Sequence, residues 1–160
     1  MKKLLILALF SLLTACNTIG NKPTIPTTPN TPVSPYQQTL DKYQQRWQQA
    51  NITHYRYTFQ RSCFCPRDYH APVVTEVNNN TVISAHLKGT NQALSSNLSN
   101  NKQTINYFFD KIQDAINRKA HRLTIKYNEQ YGYPESIAID YDKMIADEEL
   151  YISAKDFQKL

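Results

Sequence analysis

A change of hydrophobic period, from helical spacing to strict alternation, occurs twice along this chain and constrains its fold more than any other feature. Between Tyr36 and Trp47 the apolar residues recur three or four positions apart, as on one face of a helix. From Tyr55 apolar and polar residues alternate, as in a half-buried strand. The change repeats after Ile105, where a helical stripe gives way to alternation from Leu123. The chain is therefore expected to mix helices with a sheet.

Each half of this pattern predicts one helix followed by three strands. An amide-rich turn at 78–80 predicts a hairpin, and the tripeptide Ile-Ser-Ala occurs at 83–85 and again at 152–154, in the last strand of each half. Short turns favour antiparallel pairing. The predicted fold class is α+β, with two α-β-β-β halves, an antiparallel sheet and two helices packed on one face. The predicted core comprises Tyr36, Leu40, Trp47, Tyr57, Phe59, Phe108, Phe109, Ile112, Ile125, Ile139 and Ile152.

The first sixteen residues carry a sorting signal. Lys2 and Lys3 precede an apolar run, 4–13, that is too short to span a bilayer. The next residues, LTAC at 13–16, resemble the processing box of bacterial lipoproteins. The resemblance implies a signal peptide, 1–15, that is cleaved before Cys16, a diacylglyceryl group on the Cys16 thiol, and an acyl chain such as palmitate on the new amine. The alternative is an ordinary secretory peptide in which Cys16 is incidental.

A tether is predicted between this anchor and the folded domain. In the sorting rule of lipoproteins an Asp after the Cys retains the protein at the inner membrane, so Asn17 predicts the cell outer membrane, facing the periplasm. Segment 16–35 is rich in Pro and Thr, and its prolines recur every third residue, as in polyproline II. A Pro-rich segment is also a possible ligand for an aromatic groove, but a spacer is expected here. Residues 36–160 are predicted to form a single α+β domain.

Composition and spacing exclude several function classes. The formal charge of +5 falls to +3 without Lys2 and Lys3, which is too small for a dedicated nucleic-acid binder. None of the three glycines stands in a Gly-x-Gly arrangement, so a phosphate loop is not expected. The acidic residues between 140 and 149 do not match the calcium-binding EF-hand template. The four histidines have no spacing typical of a nucleophile–base pair. We therefore expect no cofactor, no resident metal and no enzymatic activity.

The motif Cys63-Phe64-Cys65 is the strongest candidate for chemistry. Exported domains meet an oxidising compartment, so a Cys63–Cys65 disulfide is predicted. On a straight strand the two Cα atoms would be about 6.7 Å apart, so the chain must bend there. Two alternatives remain open. In the first, the cysteines and His70 form a metal half-site, with His54, His86 or His121 as the fourth ligand. In the second, the cysteines are a redox-active pair that works with a histidine.

A set of spaced residues runs through the domain: Trp47, Tyr55-x-Tyr57, Cys63-x-Cys65, Phe108-Phe109, Tyr127, Gly132-Tyr133-Pro134, Asp140 and Asp147-Glu148. Together they resemble a family of small bacterial envelope lipoproteins that is catalogued only as a domain of unknown function. The resemblance spans about residues 40–157. It implies no activity, because none is established for the family.

Two functions are consistent with these patterns. The first is a non-catalytic binding or assembly module, which is anchored to the membrane through Cys16 and binds an envelope protein or glycan with one face of its sheet. The second is a metal-binding or redox-active periplasmic protein that uses Cys63 and Cys65 with a histidine. We expect the first. Its binding face would consist of the polar strand residues Arg56, Thr58, Gln60, Arg122, Thr124, Lys126, Tyr151, Ser153 and Lys155.

Overall fold

The computed structural model describes residues 33–90, 92–94 and 103–160. Its elements are two helices, α1 (Pro35–Ala50) and α2 (Ile105–Asn117), and six strands, β1 (His54–Ser62), β2 (Val73–Asn78), β3 (Thr81–Leu87), β4 (Arg122–Tyr127), β5 (Pro134–Asp140) and β6 (Leu150–Lys159). A single 3₁₀ turn, Arg67–Tyr69, separates β1 from β2. Cys16, the predicted signal peptide and all but the last three residues of the predicted tether lie outside the described residues.

Both helices begin at a side-chain cap. The Oγ atom of Ser34 accepts a backbone N–H of the first turn of α1 at 3.1 Å, and Oγ1 of Thr104 does the same for α2 at 3.3 Å. Helix α1 ends at Asn51, which adopts a left-handed backbone conformation with φ of 48°. In the part of the chain that the structure describes, neither helix combines the length and hydrophobicity needed to cross a membrane.

The six strands form one antiparallel sheet in the order β3-β2-β1-β6-β5-β4. The predicted mixed α+β class is thereby confirmed. The first and last strands, β1 and β6, pair at the centre of the sheet, with Tyr55 opposite Lys159 and Ser62 opposite Tyr151. This central pair joins the strands that follow α1 to those that follow α2.

The core lies between one face of the sheet and the two helices. Leu40 and Trp47 of α1 and Phe108 of α2 belong to the same buried cluster as the inward-facing strand residues. The prediction that Tyr36 belongs to the core is wrong, because its side chain is 51 % exposed in the first turn of α1. Ile125 is half-buried at the edge of the cluster. The other nine predicted core residues are buried.

Two tyrosines of β1 connect the sheet to the start of α2. The hydroxyl of Tyr57 donates to the carbonyl oxygen of Gln103 at 2.5 Å, and the hydroxyl oxygen of Tyr55 accepts the N–H of Ile105 at 2.9 Å. Burial raises the pKa of Tyr55 to about 12 and that of Tyr57 well above its ordinary value. The alternation in β1 therefore places two hydroxyl groups where α2 begins.

Candidate functional site

The outward face of the sheet carries short polar side chains in register across four strands. In one row Thr124, Ala138, Tyr151 and Ser62 stand side by side on β4, β5, β6 and β1. In the adjacent row stand Lys126, Ser136, Ser153 and Gln60. Each strand alternates, so its apolar residues face the helices and these residues face away from them.

A shallow groove of about 280 Å³ runs over these two rows. Its floor is built from small or short side chains, those of Ser136, Ala138 and Ser153 among them. The Tyr151 ring, which is 52 % exposed, stands beside this floor. Small residues between larger ones leave the groove open, so an extended ligand is able to lie on it.

Charged side chains also stand on the outward face of the sheet. The Nζ atom of Lys126 lies 2.8 Å from Oε2 of Glu135. The hydrogen bond from Lys126 lowers the pKa of Glu135, against a smaller opposing effect of burial. On β1 the Arg56 guanidinium donates to Gln158 at 2.8 Å. Most residues that line the groove are neutral, and Arg61 of β1 lines it as well.

The structure corrects the predicted binding face at Thr58. This residue is 4 % exposed, because Asp156 lies over it and accepts a hydrogen bond from its Oγ1 at 2.9 Å. The register between β1 and β6 shifts between Arg56 and Thr58, and Asp156 has a positive φ of 53°. Such an irregularity turns a side chain away from the position that strict alternation predicts. The other eight predicted residues of the face are exposed or half-buried.

Sequence reasoning missed Ser62, Ser136 and Ala138, which line the groove. Alternation in β5 carries the missing signal: Ile137 and Ile139 face the core, so Ser136 and Ala138 must face outward. Ser62 continues the alternation of β1 by one more residue.

The Cys63–Cys65 pair lies immediately after β1, beyond the Ser62 end of the groove. The two sulfur atoms lie at disulfide-bonding distance and the Cα atoms are 5.3 Å apart. The N–H of Cys65 donates to the carbonyl oxygen of Cys63 at 2.9 Å, which closes a tight turn with Phe64 at its tip. The chain therefore bends at this motif, as the spacing requires.

Of the four histidines, the structure brings His70 to the cysteines. Its Nε2 atom lies 3.6 Å from Sγ of Cys65 and 3.2 Å from the Cys65 carbonyl oxygen. His54 instead contacts Glu76, with 2.8 Å between Nε2 and Oε1. Across residues 33–90, 92–94 and 103–160, no group of three or more His, Cys, Asp or Glu side chains is arranged to hold a metal ion.

Carboxylates of the acidic loop between β5 and β6 accept hydrogen bonds from backbone N–H groups of the same loop. The Glu148 carboxylate accepts the N–H of Asp142, and Oδ1 of Asp142 accepts the N–H of Met144 at 2.9 Å. These bonds stabilise a turn. The carboxylates at 142 and 148 thus act within the loop itself.

A family model described as "Family of unknown function (DUF6174)" matches residues 39–159. No curated protein and no solved structure matches the chain.

Proposed function

The chain belongs to this family of unknown function, DUF6174, and we propose from its own residues that it is a binding or assembly module of the bacterial envelope. In this proposal the binding face is not catalytic, and the lipidated Cys16 holds the domain at the outer membrane, facing the periplasm. The observation that carries the proposal is the groove on the open face of the sheet, with Tyr151 beside its floor.

The chemistry of the groove favours a glycan chain over a protein strand. Hydroxyl and amide groups on Gln60, Ser136 and Ser153 are able to donate to and accept from sugar hydroxyls. The half-exposed Tyr151 ring offers an apolar surface with a polar tip, on which the face of a sugar ring can stack. At about 280 Å³ the groove is slightly smaller than the usual ligand pocket of about 300–1,000 Å³, and it suits a short stretch of a longer polymer.

Site-specific photo-crosslinking of the full-length protein in its own envelope tests this proposal. A photoreactive amino acid replaces Tyr151 in one variant and Ile83 in a matched control. Ile83 is an apolar residue of β3 with 56 % exposure, and it does not line this groove. We expect an adduct at position 151 that contains sugar and disappears after glycan-cleaving enzymes are added, with much less adduct at position 83.

A protein adduct at position 151 would overturn the glycan assignment while supporting a binding face. Equal labelling at positions 151 and 83 would overturn the binding face itself. A third variant, Ser153→Phe, fills the groove from its floor. We expect it to abolish binding to purified cell-wall glycan in a sedimentation assay, whereas Ile83→Ala leaves that binding unchanged.

We infer further that the two α-β-β-β halves have the same order of elements along the chain, but that their corresponding strands run in different directions. The order of elements along the chain supports this, and the three strands of each half lie side by side. The last strands, β3 and β6, are three antiparallel steps apart and so run in opposite directions. A fragment of residues 103–160 lacks β1, the partner of β6, so we expect circular dichroism to show it unfolded. Cooperative unfolding of the fragment would contradict this.

A further inference from the structure

The Cys63–Cys65 disulfide lies on an exposed turn. Phe64, between the two cysteines, is 82 % exposed, and both cysteines are half-buried. The disulfide is therefore within reach of a partner's thiol.

Because the two cysteines are so close in sequence, this disulfide contributes little stability as a structural cross-link. Closing a loop between residues two positions apart removes little entropy from the unfolded chain, far less than the roughly 3 kcal/mol attributed to a fifteen-residue loop. The turn also has its own hydrogen bond, from the Cys65 N–H to the Cys63 carbonyl oxygen. Stability alone does not account for the pair.

His70 distinguishes the two sulfur atoms chemically. Its Nε2 atom lies 3.2 Å from the Cys65 carbonyl oxygen, and a carbonyl oxygen only accepts hydrogen bonds. In the tautomer that this carbonyl favours the ring hydrogen is on Nε2, and the Nε2 atom also faces Sγ of Cys65 at 3.6 Å. A negative charge that forms on Cys65 would receive this N–H as a charge-assisted hydrogen bond.

We propose that the Cys63–Cys65 disulfide exchanges with dithiols of other envelope proteins, with His70 stabilising Cys65 as the leaving thiolate. This activity is independent of the groove. A thiolate of the partner attacks Sγ of Cys63, the Cys63–Cys65 bond breaks, and Cys65 leaves with the electron pair. The partner is now joined to Cys63 by a mixed disulfide.

The second thiolate of the partner then attacks its own sulfur in the mixed disulfide and releases Cys63. The partner loses two electrons and gains a disulfide, while Cys63 and Cys65 gain the two electrons and the two protons. A disulfide-bearing protein of the envelope returns the pair to its oxidised form by the same steps in reverse. His70 contacts a reacting atom in both directions and is thus a catalytic residue of the exchange.

Reaction of the full-length oxidised protein with reduced glutathione tests the proposal. The reaction is stopped at short times with an alkylating reagent, and the products are mapped by mass spectrometry. We expect glutathione on Cys63 and the alkyl group on Cys65. Because a hydrogen bond to a charged group is strong, His70→Ala should slow the reaction about tenfold, whereas the control His121→Ala should change it by less than about twofold.

Three results would overturn the proposal. The first is glutathione attached equally to Cys63 and Cys65 of the wild-type protein. This measurement does not depend on whether any variant folds. The second is a rate that is the same in the His70→Ala and His121→Ala proteins. The third is protein isolated from the envelope with two free thiols and stoichiometric metal, which would instead establish the cysteines as metal ligands.

Discussion

The hydroxyl groups of Tyr55 and Tyr57 lie inside the core and still have partners. They bond backbone groups of Ile105 and Gln103, which are 50 and 46 residues away in sequence. Alternation along β1 predicts that both rings face the core. It does not predict these partners, because hydrogen bonds between distant segments depend on how the helix packs on the sheet.

The buried tyrosines make alkaline pH destabilising. The pKa of Tyr55 is about 12 in the folded protein and about 10 when unfolded, so above pH 10 the unfolded state loses its proton first. The contribution of Tyr55 to stability is complete below pH 10 and is lost as the pH rises towards 12. In that range we expect the advantage of the wild type over Tyr55→Phe to fall by about 1.4 kcal/mol per pH unit.

Guanidinium unfolding of both proteins between pH 8 and 11.5 measures this difference. The control variant Tyr151→Phe removes a half-exposed tyrosine of β6. We expect its stability to follow that of the wild type throughout. A constant difference between wild type and Tyr55→Phe across the range would contradict the burial of this hydroxyl.

At the scale of single elements, the turn before β5 illustrates what local chemistry predicts. Gly132 and Pro134 mark a turn in the sequence, and the structure has one there, with a φ of +87° at Gly132. The sequence does not reveal that this turn packs against α1. A Cβ atom on Gly132 would lie 2.5 Å from the Tyr43 carbonyl oxygen and 2.9 Å from the Trp47 backbone nitrogen.

We expect Gly132→Ala to be more destabilising than backbone strain alone explains. Gly89 is the matched control: its φ is +82°, and a Cβ atom there would meet nothing within 4 Å. Gly89→Ala should cost the roughly 1–2 kcal/mol of a left-handed alanine. Gly132→Ala should cost clearly more, because backbone atoms of α1 must also move. Equal losses in urea unfolding would show that the turn and α1 are not in contact.

At the scale of the whole molecule, the pairing of β1 with β6 decides where the groove lies. Apart from the irregularity at Thr58, the faces of the strand residues follow from local alternation, and the α+β class follows from the order of the periods. The order of the strands in the sheet does not follow from the local sequence, because pairing between the two ends of the domain is a long-range property. The β5–β6 pairing places Ser136 opposite Ser153, and the β1–β6 pairing adds Ser62 in the adjacent row.

The same pairing brings the two proposed activities to one end of the sheet. Ser62 stands beside Tyr151 at the end of the groove, and Cys63 is the next residue of the chain. The turn that holds Cys63 and Cys65 is therefore next to the groove, although the proposed exchange does not depend on a ligand in the groove.

The proposed lipid anchor is testable through Cys16. Cleavage before this residue would remove 15 of the 160 residues and leave 145. Each buried methylene contributes about 0.8 kcal/mol, so two or three acyl chains hold a protein on a bilayer where one does not. We expect Cys16→Ser to prevent both acylation and cleavage, so that a precursor of full length accumulates.

The control is the double variant Cys63→Ser/Cys65→Ser, which keeps Cys16 and should remain lipidated, shortened and membrane-bound. Membrane fractionation with intact mass measurement distinguishes the two. A shortened Cys16→Ser protein that still sediments with membranes would show that the thiol at position 16 is not the anchor, and that another part of the chain binds the envelope.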